Sequence, residues 1–141
     1  MRDGRVYFAT SDTGLLHVLD AKSGVPVAKL DFSRWPMFSS PALAGDMLYI
    51  GSHAGKVIAV DLKTQKLSWT FQTEASRQNG PALTMPDGTP NYAAAFKGNF
   101  YDEMVTGVQT MMTVGAVLSS PVVADGVIYF GSTDGNLYAV S

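Results

Sequence analysis

The chain of 141 residues contains no cysteine. That excludes disulfides, thiolate metal sites and cysteine nucleophiles together, and leaves the redox compartment open. No stretch approaches 18 uninterrupted apolar residues, so no transmembrane helix is expected. Charge of one sign is also missing: 10 basic and 12 acidic residues are scattered, for a formal net charge of −2. With no basic run, nucleic acid and anionic membrane surfaces are poor partners. Histidine occurs only twice, at His17 and His53, a weak basis for a metal site. There is neither a Gly-x-Ser-x-Gly elbow nor a phosphate-binding P-loop. The N-terminus runs directly from Met-Arg-Asp-Gly into a strand pattern, so this chain is expected to carry no signal peptide.

What is present is a segment that occurs three times. It begins at Val6, Leu48 and Ile128, each copy joining Tyr7, Tyr49 or Tyr129 to a Gly-containing turn. The middle copy is the most complete. Ser39-Ser40-Pro41 opens it, and Ala42 to Ala44 is a short apolar run. Gly45-Asp46 is turn chemistry. Met47 to Gly51, Lys56 to Asp61 and Leu67 to Thr73 are further runs of strand formers, separated by turns. Four short runs with Gly and Asp turns describe a four-stranded antiparallel meander. The 42-residue offset between Tyr7 and Tyr49 is close to one propeller blade. Tyr7, Tyr49 and Tyr129 are read as packing residues on the second strand of each blade.

Counting runs gives an all-β fold: a β-propeller fragment of about two and a half four-stranded antiparallel blades, with one mixed loop/helix insertion. The first blade, residues 1–33, has its last three strands. Residues 39–74 form a full blade, and residues 118–141 supply the first three strands of another. Residues 75–117 are the insertion. A closed ring needs more blades, so the chain is expected to be part of a longer protein. Missing blades or a protein partner would then complete it, and the isolated piece should oligomerise through its edge strands.

The first half of the insertion, through Pro90, is rich in Gly, Pro, Asn and Thr and reads as loop. From Asn99, a candidate N-cap, Phe100, Met104, Val108 and Met111 recur at helical spacing. In blade topology the connection from Arg34 to Phe38, the turn at His53 and the insertion all fall on one face. His53 stands there in place of the Asp seen at Asp12 and Asp134. The candidate interaction surface is therefore Trp35, Phe38, His53, Phe100, Tyr101 and Met104. Long insertions inside compact domains are commonly functional.

The motif resembles the pyrroloquinoline-quinone-like β-propeller repeat, also called the quinoprotein-dehydrogenase-like repeat. Ser39-Ser40-Pro41, Tyr49, Gly51-Ser52, Gly55, Ala59, Asp61, Thr64 and Trp69 match that pattern in order, with Gln65 where a Gly is usual. The resemblance implies that Trp69 packs between neighbouring blades. Asp20 and Asp61 are read as structural residues that fix their turns. It also implies a periplasmic or other extracytoplasmic setting. Its relatives include quinone-dependent dehydrogenases, scaffold lipoproteins and sensor domains, and a shared fold does not choose among them. No catalytic, cofactor or metal residue is assigned. The quinone with calcium would enter only through the intact protein. The expected function is a non-catalytic binding or scaffold module. A dehydrogenase fragment and an extracytoplasmic sensor are the alternatives.

Overall fold

A computed structural model describes residues 1–98 and 101–141. Asn99 and Phe100, the start of the expected helix, lie outside the described residues. Tight Gly- and Asp-containing turns fold the described residues into three antiparallel sheets. The first contains β1 (Arg5–Ala9), β2 (Leu15–Asp20) and β3 (Pro26–Asp31), in that order. The second contains β4 (Ala42–Ala44), β5 (Met47–Ser52), β6 (Lys56–Asp61) and β7 (Lys66–Gln72). Among the described residues three helices follow: α1 (Glu74–Leu83), α2 (Tyr92–Ala95) and α3 (Tyr101–Met112). The last sheet contains β8 (Val122–Ala124), β9 (Val127–Gly131) and β10 (Leu137–Val140). These are blades of three, four and three strands, a partial β-propeller.

The middle blade is covered on both sides, and its sequence reflects that. Along a strand, side chains alternate between faces. Leu48 and Ile50 on β5 sit opposite Val60 and Ile58 on β6. These four pack toward the first blade, against Leu16, Met37 and the partly buried Tyr7 and Leu30. The alternate residues face the third blade. There Val57, Tyr49, Trp69 and Phe71 meet Ile128, Phe130 and Tyr138. Because both faces are covered, Val57, Ile58, Ala59 and Val60 form an unbroken buried run. Ala59 pairs with both Tyr49 and Trp69. Its small side chain leaves room for the two rings, whose centroids are 5.8 Å apart.

The Ser-Ser-Pro motif joins the inner strand of a blade to the next strand outward. Ser39 Oγ donates to Gly51 O (3.0 Å) and accepts from Gly51 N (2.9 Å). Ser119 makes the same pair of bonds with Gly131, at 3.0 and 2.9 Å. Ser40 N donates to Ser120 Oγ (3.0 Å), which ties the two motifs together beside the neighbouring inner strands β4 and β8. The outer turns are held by aspartate. Asp20 Oδ1 accepts from Ser23 N (2.8 Å), Ser23 Oγ (2.8 Å) and Lys22 N (3.1 Å). Asp61 Oδ1 accepts from Thr64 N (3.0 Å) and Lys63 N (2.8 Å). These donors, led by the Ser23 and Thr64 amides, hold both carboxyls below the usual aspartate value because they favour the charged form. The left-handed position that follows is taken by Gly24 (φ 70°) in the first turn and by Gln65 (φ 55°) in the second.

The first half of the insertion departs from the loop expected there. It contains α1, ten residues long. Thr73 is its N-cap, its Oγ1 accepting from Ser76 N (3.1 Å). Glu74 stands in the first turn, where the helix dipole favours an acid. It accepts from Arg77 Nη2 and Gln78 Nε2, each at 2.9 Å. Pro81 is inside the helix. A proline there removes the hydrogen bond to the Arg77 carbonyl and crowds that group, but the further clash with the Cβ of the preceding residue is absent because that residue is Gly80. The helix survives for that reason and because capping and burial of Ser76 and Leu83 hold it from outside.

Candidate binding face

Three segments converge at one end of the middle blade: the connection after β3, the β5–β6 turn and the insertion. Ser33 shapes the connection, its Oγ accepting from Trp35 N and donating to Trp35 O, both at 3.2 Å. The connection is pinned to the turn where His53 N donates to Pro36 O (2.8 Å). The insertion leaves and returns beside the same turn. Thr73 N donates to Gly55 O (2.9 Å), and Ser76 Oγ donates to Ala54 O (2.7 Å). Thr73 Oγ1 lies 3.3 Å from Val114 O and 3.4 Å from Gly115 O, so one hydroxyl joins both ends of the insertion. Asn79 Nδ2 donates to Thr113 O (2.7 Å), and Val117 N to Ser52 O (3.0 Å).

Between these polar ties lies an apolar cluster of Trp35, Ala54, Leu83, Ala95, Met111 and Val114. Trp35 is 3% exposed. It therefore departs from the surface patch expected for it, because it fills the space between the blade turn and the helices. Met111 is also buried, while Met104 and Val108 are about half exposed. The helical stripe thus divides between a buried and an open part. Phe38 is 57% and Tyr101 91% exposed. Trp35, Phe38 and His53 are brought together as one aromatic group. The His53 ring meets Trp35 edge-on at 6.1 Å and Phe38 at 5.8 Å. Tyr101 and Met104 belong instead to an open face of α3 that also carries Val105 and Val108.

His53 is half buried, and its Nε2 is enclosed without a hydrogen-bond partner. Burial pushes its pKa below the ordinary 6.5. Neutral in the fold and titrating near 6.5 when unfolded, it costs nothing above that pH. As pH falls below 6.5 the unfolded chain takes up the proton first, so stability declines until the folded ring also titrates. Urea unfolding at pH 7.5 and 5.5 should show this loss, and His53→Phe should reduce it.

Beside the aromatic group lies a cleft of about 450 Å³. Arg34, Trp35, Lys56, Gln72 and Asp87 are among its walls. A second cleft of about 250 Å³ shares Lys56, Gln72 and Thr84 and extends along α1 to Arg77. Sequence reasoning missed this trough. Lys56 and Gln72 are cross-strand partners at the ends of β6 and β7, and the wall that faces them comes from the unexpected helix α1.

The acidic and imidazole groups of the described residues form no cluster of three or more that could hold a metal ion. The described residues on their own therefore do not supply a carboxylate-rich donor set for a quinone-held calcium. No helix of the described residues is long and apolar enough to cross a membrane.

The family model described as outer membrane protein assembly factor BamB matches residues 1–107. The chain belongs to this PQQ-like propeller family. The match takes in the first two blades and most of the insertion. In fold, this family member is similar to BamB from Moraxella catarrhalis, with a TM-score of 0.58 and 20% identity over 99% of this chain and 34% of that one. It is also similar to the computationally designed Ika8 protein, with a TM-score of 0.59, 14% identity, and coverage of 99% and 31%. The quinohemoprotein alcohol dehydrogenase of Comamonas testosteroni aligns over 92% of this chain and 16% of its own, with a TM-score of 0.56 and 18% identity. The chain spans about a third of the length of the first two structures. At these identities the likeness is one of fold. No curated protein matches the sequence.

Proposed function

We propose that the protein is a non-catalytic binding module of extracytoplasmic type, a scaffold that engages a protein partner through the face carrying the insertion. The observation that carries this reading is the open side of α3. Tyr101, Met104, Val105 and Val108 are exposed on a helix whose other side is fixed to the propeller. A helix held by its own core and still presenting apolar side chains is suited to docking. The family description as an assembly factor supports the same reading. The edges of β1 and β10, each paired on one side, allow a second copy or further blades to add to the assembly.

A photo-crosslinking amino acid placed at Phe38 or Tyr101 should capture a discrete partner in cells, identified by mass spectrometry. The same group at Lys22 or Lys63, on the outer turns, should not. Equal capture at all four positions, or none at Phe38 and Tyr101, would remove the reading. Saturable binding of the quinone with calcium, with dye reduction, would favour a dehydrogenase fragment instead.

A further inference from the structure

The two clefts beside α1 share Lys56, Gln72 and Thr84 and form one trough along the rim of the middle blade. Arg34 stands in one compartment, Arg77 in the other, and Lys56 at their junction. Asp87 is the single acid in either wall. Hydrogen bonds from Thr89 Oγ1 (2.6 Å) and Thr89 N (3.0 Å), with the charge of Arg34, hold its carboxyl below the usual aspartate value. It therefore stays ionised and offsets part of the Arg34 charge, leaving Lys56 as the least compensated cation. Arg77 is paired with Glu74 at 2.9 Å. Among the described residues neither Arg34 nor Lys56 forms an ion pair. A cationic trough on a chain of net charge −2 is a local arrangement rather than a consequence of overall composition.

We infer that this trough binds an extended acidic segment of a partner polypeptide. The inference rests on the binding-module reading and names the chemistry of its partner. Charge complementarity selects an anionic occupant. The form of the site selects an extended one. Two joined compartments suit a chain that advances about 3.3 Å per residue better than one compact ion. Thr70, Gln72 and Thr84 supply neutral donors and acceptors for main-chain amides. The partly buried Phe32 supplies apolar lining against which side-chain methylenes can lie.

A fluorescein-labelled hexaglutamate peptide, titrated into the full chain at low salt with anisotropy as readout, tests this. Saturable binding is expected, weakening as salt rises. Lys56→Glu and Arg34→Glu should each weaken it at least tenfold, Lys56→Arg should restore it, and Lys63→Glu should leave it unchanged. Thermal unfolding of each variant checks the fold, and Arg34→Gln replaces Arg34→Glu if the latter unfolds. No saturable binding, equal binding of hexaserine, or equal loss with Lys63→Glu overturns the proposal. So does free glutarate competing as strongly as the peptide, since the site would then be one for small carboxylates. The crosslinking result stands apart. Partner capture without peptide binding removes only the trough, whereas peptide binding without capture removes the module reading and, with it, the assignment of the bound segment to a partner.

Discussion

Gly55→Ala should destabilise the protein by about 3–5 kcal/mol, read from urea unfolding, and should release the insertion to protease before the blades unfold. Gly55 has φ +70°, in the left-handed region that side chains rarely adopt. A Cβ there would collide with the Val114 carbonyl oxygen. It would also lie 2.8 Å from both Gly115 O and Ser76 Cβ. Two of these obstacles are backbone atoms, which cannot rotate away. The segment they belong to is held by Thr73, so relief requires breaking the contact between the turn and the returning chain. Gly45 is the control. Its φ of +55° is similar, but a Cβ there meets nothing within 4 Å. Gly45→Ala should cost only the conformational penalty, about 1 kcal/mol. Equal losses at the two positions would show that the close approach at Gly55 carries no energy.

Trp35→Ala should cost a similar amount, about 3–5 kcal/mol, by leaving a cavity where a buried aromatic stood. Trp35 shares one buried cluster with Ala54 on the blade side and with Leu83 and Met111 on the helical side. The loss should therefore appear as weakened coupling between blade and insertion as well as lower global stability. Hydrogen exchange should speed up first in α1 and α3, while β5 and β6 remain protected. Uniform acceleration across all strands would show that Trp35 supports the whole propeller equally.

The blades were readable because their signals are local and repeated. A tyrosine and a Gly turn recur at fixed spacing in three copies and an aspartate-held turn in two, and the turns make their contacts within a few residues. The double-sided burial of β6 from Val57 to Val60 was not read from the sequence, because it depends on the two flanking blades. The insertion was readable only in part. The stripe through Met104, Val108 and Met111 marks α3 by its helical spacing, although only Met111 is buried. Helix α1 carries no such stripe and includes Asn79, Gly80 and Pro81, all residues that favour turns. It is specified by its cap at Thr73 and by distant partners: Ala54 for Ser76, and Thr113 for Asn79. The burial of Trp35 was hidden for the same reason. An aromatic in a connecting segment looks like an exposed anchor until the helix that covers it is known. The cationic trough needed both α1 and the loop at Asp87, so no stretch of sequence could announce it.

The hydroxyl of Thr73, which reaches the carbonyls of both Val114 and Gly115, has a consequence for how such proteins diversify. It brings the exit and re-entry points of the helical excursion to one place on the rim. An insertion with its ends so joined puts little demand on the chain that carries it. Its length and composition can drift, or be replaced outright, while strand register and blade spacing stay as they are. Selection can therefore act on recognition in the helices separately from selection for folding in the blades. A transplant of residues 74–113 onto the same turn of another member of the family should carry its surface chemistry with it.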